Sequence, residues 1–241
     1  MISSLNNLAT SEGCQYKNET YNFTCDEPAI DTDSKLCIFH DINYLKGDNY
    51  DKHKEEVANR FNRKISKYSS NNIPFKFFGY CLPEISFKSY QFPDSLYFHD
   101  ATFYGKADFR GAKFSEYTGF GRTTFYGKAD FSGATFSNEG RFTERITWFG
   151  DTVFLDEANF DMSFSFITFF NYAKFSKRAY FGNAEFSGAF VTFTRAEFSG
   201  EADFSGAKIK EGSFSSVKFF NTKDFGNISV LINDNKKIPL T

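Results

Sequence analysis

The sequence has little net charge, three histidines, one tryptophan and no long apolar run. Each shortage removes a class of function. A formal charge of −2 over 241 residues gives neither the basic groove that holds nucleic acid nor a strong acidic surface that would imitate it. Both parts of the chain are near balance: residues 1–86 hold 12 acids and 10 Lys/Arg, and residues 87–241 hold 18 of each. No stretch approaches about 18 continuous apolar residues, so no membrane span is expected. Met1 to Thr10 lacks the basic start and apolar run of a secretory signal, and the expected location is cytoplasmic. The Asn-x-Ser/Thr triplets at Asn18, Asn22 and Asn227 then read as chance matches. There is no G-x-x-x-x-G-K-[ST], G-x-G-x-x-G or H-E-x-x-H motif. His99, beside Asp100, is the histidine a catalytic triad would use, but serine is too common here to single out a nucleophile. No enzyme is expected.

What is abundant is phenylalanine: 35 residues, 29 of them at or after Phe87. Residues 102–115 read TFYGKADFRGAKFS and residues 124–137 read TFYGKADFSGATFS, so twelve of fourteen positions agree at an offset of 22. Such a fixed period marks a stacked repeat architecture. Inside the unit, Phe98, Phe103, Phe109, Phe114, Phe120, Phe125, Phe131, Phe136 and Phe142 recur at alternating steps of five and six. Ala101, Ala107, Ala112, Ala129 and Ala134 lie two residues before a phenylalanine, with a polar residue between. Small, polar, large is a period of two, so alanine and phenylalanine share the inner face. Glycine interrupts each short extended run, as a tight corner would require. Four such sides make one coil of 22 residues. A helix is disfavoured, because steps of five and six hold no single helical face and each glycine would cost about 1 kcal/mol. Asp108 and Asp130 recur beside Lys106 and Lys128, and this outer column is expected to be a solvated wall of mixed charge.

The A-[DN]-F-x-G pattern resembles the pentapeptide-repeat family, and more narrowly its phenylalanine-rich branch with alternating five- and six-residue units. The resemblance covers about Phe87 to Phe225. It implies a mainly β fold, a right-handed quadrilateral β-helix with the large residue inside. From Phe87 to Phe225 there is room for about six coils, roughly 30 Å at ~4.8 Å per coil. Some members of the family are argued to imitate DNA and bind topoisomerase. Two functions therefore stand side by side: a non-catalytic scaffold that binds a protein partner, and a DNA-mimicking gyrase binder, which would need an acidic stripe. Direct nucleic-acid binding is not expected.

Ahead of the repeats lie Cys14, Cys25, Cys37 and His40, spaced C-x10-C-x11-C-x2-H. Three thiols and an imidazole are a usual tetrahedral zinc set, and a segment this short and polar needs a staple to close. A disulfide or plain buried thiols are the alternatives. Phenylalanine-rich members carry a similar segment ending C-I-x-H, which implies zinc. Four ligands would make the site structural. Cys81 is expected to be a small core residue.

The organisation expected from sequence is a Cys/His head over 1–46, an amphipathic helix and cap over 47–86, the β-helix over 87–225 and a C-terminal cap over 226–241. The helix should start at a cap on Asp48 or Asp51 and reach about Tyr68, with Val57, Phe61 and Ile65 as its apolar stripe. Together with Phe75, Phe77 and Phe78 it should cover the first coil. The rhythm slips over 141–174, where Trp148 is found. A register correction with Trp148 packed inside or at a corner is preferred there to an aromatic surface offered to a partner. Ile228, Val230 and Ile232 suggest a last strand, and the resemblance allows a homodimer through that end.

Overall fold

A computed structural model describes residues 13–71, 73–136, 146–188, 190–221 and 229–230 of the chain. Expectations for residues 1–12, for 137–145 within the irregular stretch, and for the tail apart from 229–230 lie outside these residues. So does the homodimer contact expected there. No helix among the described residues is long and apolar enough to cross a membrane.

The repeats form a parallel β-solenoid of about six turns. Most strands are two residues long, as glycines and corners dictate, and each pairs only with the strands one coil away. Seven strands stack on face one, from Phe75–Lys76 to Gly212–Ser213. Face two carries Thr102–Phe103, Thr124–Phe125, Val153–Phe154 and Lys174–Phe175. Face three carries Ala107–Asp108, Ala129–Asp130, Ala158–Asn159 and Ala179–Tyr180. Face four includes Lys113–Phe114, Thr135–Phe136, Ser163–Phe164 and Glu185–Phe186. Phenylalanine stands opposite phenylalanine, as the offset of 22 requires: Phe103, Phe125 and Phe154 are consecutive rungs.

The core is four columns of rings. Phe103, Phe125, Phe154, Phe175 and Phe198 stack nearly parallel, at 4.7, 5.0, 4.9 and 4.6 Å between centroids. Rings on different faces meet edge to face, as Phe120 and Phe131 do at 5.4 Å and 82°. Parallel contact along the axis and perpendicular contact across it are the two favoured geometries of the aromatic quadrupole. Phe103, Phe114, Phe125 and Phe136 are all buried, as the repeat predicts.

Corners of two kinds separate the faces. After face one, the residue two past the core phenylalanine has positive φ, and it is Gly79, Asp100, Arg122, Asp151, Tyr172, Arg195 or Ser216. After face three the equivalent positions with positive φ are Ser89, Gly111, Gly133 and Gly206, while Met162 and Asn183 stand there without it. Glycine therefore does not mark every left-handed corner. Nor does every repeat glycine have positive φ. Gly127 is needed for space: a Cβ there would lie 2.6 Å from the carbonyl carbon of Gly105, one coil below. Gly133, at φ +67°, would place its Cβ 3.9 Å from the nearest atom. Gly127→Ala is thus expected to lose about 1–3 kcal/mol through overpacking against backbone, and Gly133→Ala about 1 kcal/mol through its φ alone. The difference is read from the two urea midpoints. The acids of face three also serve the corners: Asp108 accepts from the Arg110 amide, Asp130 from that of Ser132, and Asp203 from that of Ser205.

The ladder begins at Phe75, ahead of the first phenylalanine of the regular rhythm. Its first coil holds Phe75, Leu82 and Ile85 at inner positions, a mixture without the A-x-F-x-G signature. Cys81 is buried beside them in the strand Cys81–Leu82, and burial pushes its thiol up to about 12. Helix α1, Asn49–Asn71, closes this end. Val57, Phe61 and Ile65 are buried as predicted, and Tyr68 joins them. Phe61 meets Phe77 edge-on at 4.9 Å and reaches Phe87 and Phe98.

Past the break, register resumes: Thr118 and Gly119 pair with Thr147 and Trp148, and Phe125 pairs with Phe154. Trp148 alternates with the buried Thr147 and points outward, half-buried, against Gly121, Gly150 and Phe169. It is on the outer wall rather than inside the coil.

Candidate metal centre

Two backbone features bring the four expected ligands together. The first is a short antiparallel hairpin, Lys17–Asn18 with Phe23–Thr24. Cys14 and Cys25 sit at its base, held by hydrogen bonds from the Cys14 amide to the Glu27 carbonyl and from the Cys25 amide to the Tyr16 carbonyl. The second is a turn over Cys37 to His40, in which the His40 and Asp41 amides donate to the Cys37 carbonyl. The C-x2-H spacing aims both side chains of this turn at the hairpin base.

The result is one buried cluster in which the ligand atoms of Cys14, Cys25, Cys37 and His40 all lie within 4.8 Å of one another. The Cys25 and Cys37 sulfurs are 3.8 Å apart, and His40 Nδ1 is 3.2 Å from Cys37 Sγ and 3.5 Å from Cys14 Sγ. A tetrahedral zinc with its usual bonds needs edges of about 3.8 Å between sulfurs and about 3.6 Å from sulfur to nitrogen. The four cysteines are free.

The surroundings orient the set. His40 Nε2–H donates to the Phe78 carbonyl at 2.9 Å, which fixes the tautomer and leaves the Nδ1 lone pair facing the thiols. Tyr16 stacks on the imidazole at 3.8 Å and Tyr80 meets it edge-on. The Cys37 amide donates to Cys14 Sγ. Hydrogen bonds from the Cys25 and Cys37 thiols hold Cys14 below the ordinary thiol range, while Cys25 is pushed up to about 12 and Cys37 upward too. A dication would let all three ionise.

The head is anchored to α1. Lys64, buried, donates to Asp26 at 2.9 Å and Glu27 at 2.6 Å, and Arg60 also pairs with Glu27. Burial alone would lower the Lys64 ammonium, but those two carboxylates outweigh it and hold it above the ordinary lysine value. Phe39 stacks on Tyr80 at 4.6 Å and its carbonyl accepts from the Cys81 amide, which joins the head to the first coil.

A family profile described as pentapeptide repeats, nine copies, matches residues 87–135 and 98–146, the stretch that builds the first coils of the solenoid. Residues 87–146 are pentapeptide repeats. No curated protein and no solved structure matches this pentapeptide-repeat chain.

The other two histidines are apart from the cluster. His53 lies on α1 and stacks on Tyr44. His99 points outward from face one, yet is only 1 % exposed. It hydrogen-bonds with the Tyr117 hydroxyl at 2.7 Å, and its Nδ1 has no partner among the described residues. Burial, with Arg122 nearby, depresses it to about 4. A histidine whose folded pKa is depressed contributes stability above its unfolded pKa, and that contribution is lost as pH falls through the folded value. Stability is thus expected to fall between pH 6.5 and 4, by up to roughly 3 kcal/mol, read as a falling melting temperature. His99→Asn, which cannot titrate, should flatten that limb.

Proposed function

We infer that this pentapeptide-repeat protein is a non-catalytic scaffold whose outer wall engages a protein partner, and that its head carries one structural zinc ion on Cys14, Cys25, Cys37 and His40. The observation that carries the metal reading is the closed donor set. Three sulfurs and one nitrogen, all buried, fill a tetrahedral ion and leave no position for a substrate. Thiolate-rich tetrahedral sites select zinc over the hard cations. Reduced cysteines are in keeping with a cytoplasmic location.

The scaffold reading follows from where chemistry is available. The interior of the coils is filled with rings, so another molecule can meet only the wall or the ends. Along the wall many of the acids have cationic partners: Asp108 with Arg110 and Lys106, Glu157 with Lys128, Glu201 and Asp203 with Arg178, and Glu185 with Lys208. This neutral lattice weighs against the gyrase-directed DNA mimic, which needs an unpaired acidic line. A supercoiling assay separates the two. Gyrase is expected to keep its activity in the presence of the purified protein. Inhibition at micromolar protein, relieved by salt, would replace the scaffold reading with the mimic.

A further inference from the structure

Phe78 and His99 are each the residue after a core phenylalanine, at positions that face away from the solenoid interior, and both are 1 % exposed. They are covered by the tip of the head hairpin. Tyr21 stacks on Phe78 at 4.7 Å and on His99 at 4.6 Å. Asn18 donates to Asp100 Oδ2 at 2.9 Å, and Asp100 is held in turn by a bidentate pair with Arg122 at 2.6 and 2.9 Å. Asp100 and Arg122 occupy two of the left-handed corner positions that carry large side chains where the opposite corner carries glycine. The site under the hairpin is therefore an aromatic floor with a charged rim, built on the rigid wall.

The hairpin that covers it is weak on its own. Its strands are two residues each, below what stands unaided in water. Its contacts with the wall are the Tyr21 ring on Phe78 and His99, the Phe23 ring on Phe78 at 5.1 Å and one amide hydrogen bond from Asn18. What closes it is the base, where Cys14 and Cys25 supply two of the four metal ligands. The Lys64 and Arg60 pairs hold Asp26 and Glu27, beyond the base, and do not reach the tip.

We propose that the metal centre is a latch: with zinc bound, the hairpin is held over Phe78, His99 and Asp100, and when zinc leaves, the hairpin lifts and uncovers this patch while the coils above it stay folded. The inference rests on the zinc reading and adds a regulated surface to it.

Diethyl pyrocarbonate labelling of the full chain, mapped by mass spectrometry, tests the latch. His53 on α1 is the internal reference, and Tyr21→Ala in zinc-loaded protein is the control that uncovers His99 with the metal in place. His99 is expected to be protected in zinc-loaded protein. After chelation its labelling should rise at least about tenfold, towards that of Tyr21→Ala, with amide-exchange protection kept around Phe160. Metal-free protein in which His99 stays protected overturns the latch but leaves the zinc reading intact. Loss of protection around Phe160 on chelation also overturns it, because the metal would then hold the whole fold. Protein that binds no zinc overturns both.

Discussion

Replacing Phe160 by alanine is expected to destabilise the protein by about 3–5 kcal/mol, the largest single-residue loss in the solenoid. Phe160 stacks between Phe131 at 5.2 Å and Phe181 at 5.0 Å, and it meets Phe149, Phe154 and Phe170 edge-on at 5.2, 5.5 and 5.1 Å. Coils on both sides are fixed by other rings, so the site cannot collapse to fill the void. Phe214→Ala provides the contrast. That ring is half-buried, with Phe193 stacked on one side at 5.0 Å, and its truncation should cost roughly half as much or less. Urea unfolding of the two variants gives the comparison. Equal midpoint shifts would mean that the interior columns are not the main source of stability.

Cys37→Ser is expected to have the second large effect, concentrated in the head. Cys37 is fully buried, and its sulfur lies 3.8 Å from Cys25 Sγ and 3.2 Å from His40 Nδ1. Serine is a poor ligand for zinc at neutral pH, and three remaining ligands would bind far more weakly. Structural zinc sites contribute about 10–16 kcal/mol of apparent binding free energy in isolated fingers, so even partial loss is visible. Wild-type protein should contain about one zinc per chain, and C37S well under half of that. Proteolysis within 13–46 should accelerate while the solenoid resists. Acid should act in the same direction, because protons compete with the metal for the thiolates. Stoichiometric zinc in C37S would remove Cys37 from the ligand set.

The repeat and the buried Cys/His cluster were both legible in the sequence, for different reasons. Phe103, Phe114, Phe125 and Phe136 announce themselves because one residue type serves identical positions in successive coils, so the period survives in plain text. Cys14, Cys25, Cys37 and His40 are scarce residue types, and scarcity made them stand out although Cys14 and Cys25 sit on opposite limbs of a hairpin that no local pattern predicts. The first coil was hidden, since Leu82 and Ile85 fill the same inner space as phenylalanine and alanine do later. The corners after face one were hidden too. Asp100, Arg122 and Tyr172 are poor indicators of positive φ, and only the stacked geometry shows that they adopt it. The direction of Trp148 depends on how the chain re-enters the ladder after a long step, which spacing alone leaves undetermined. Neither the Phe78 carbonyl that orients His40 nor Tyr21 over His99 leaves any signal in the sequence, because the first is backbone and the second is a contact between distant segments.

The ladder bonds described above run along the rod, from each coil to the next, and this has a mechanical consequence. A pull on the two chain ends loads those bonds one short rung at a time, as in unzipping, rather than many together in shear. Each coil of about 22 residues gives up only ~5 Å of rod but releases some 70–80 Å of extended chain. Stretched in an optical trap, the molecule should lengthen in a series of small, evenly spaced steps at low force, a fibre that yields by the loop rather than by the domain.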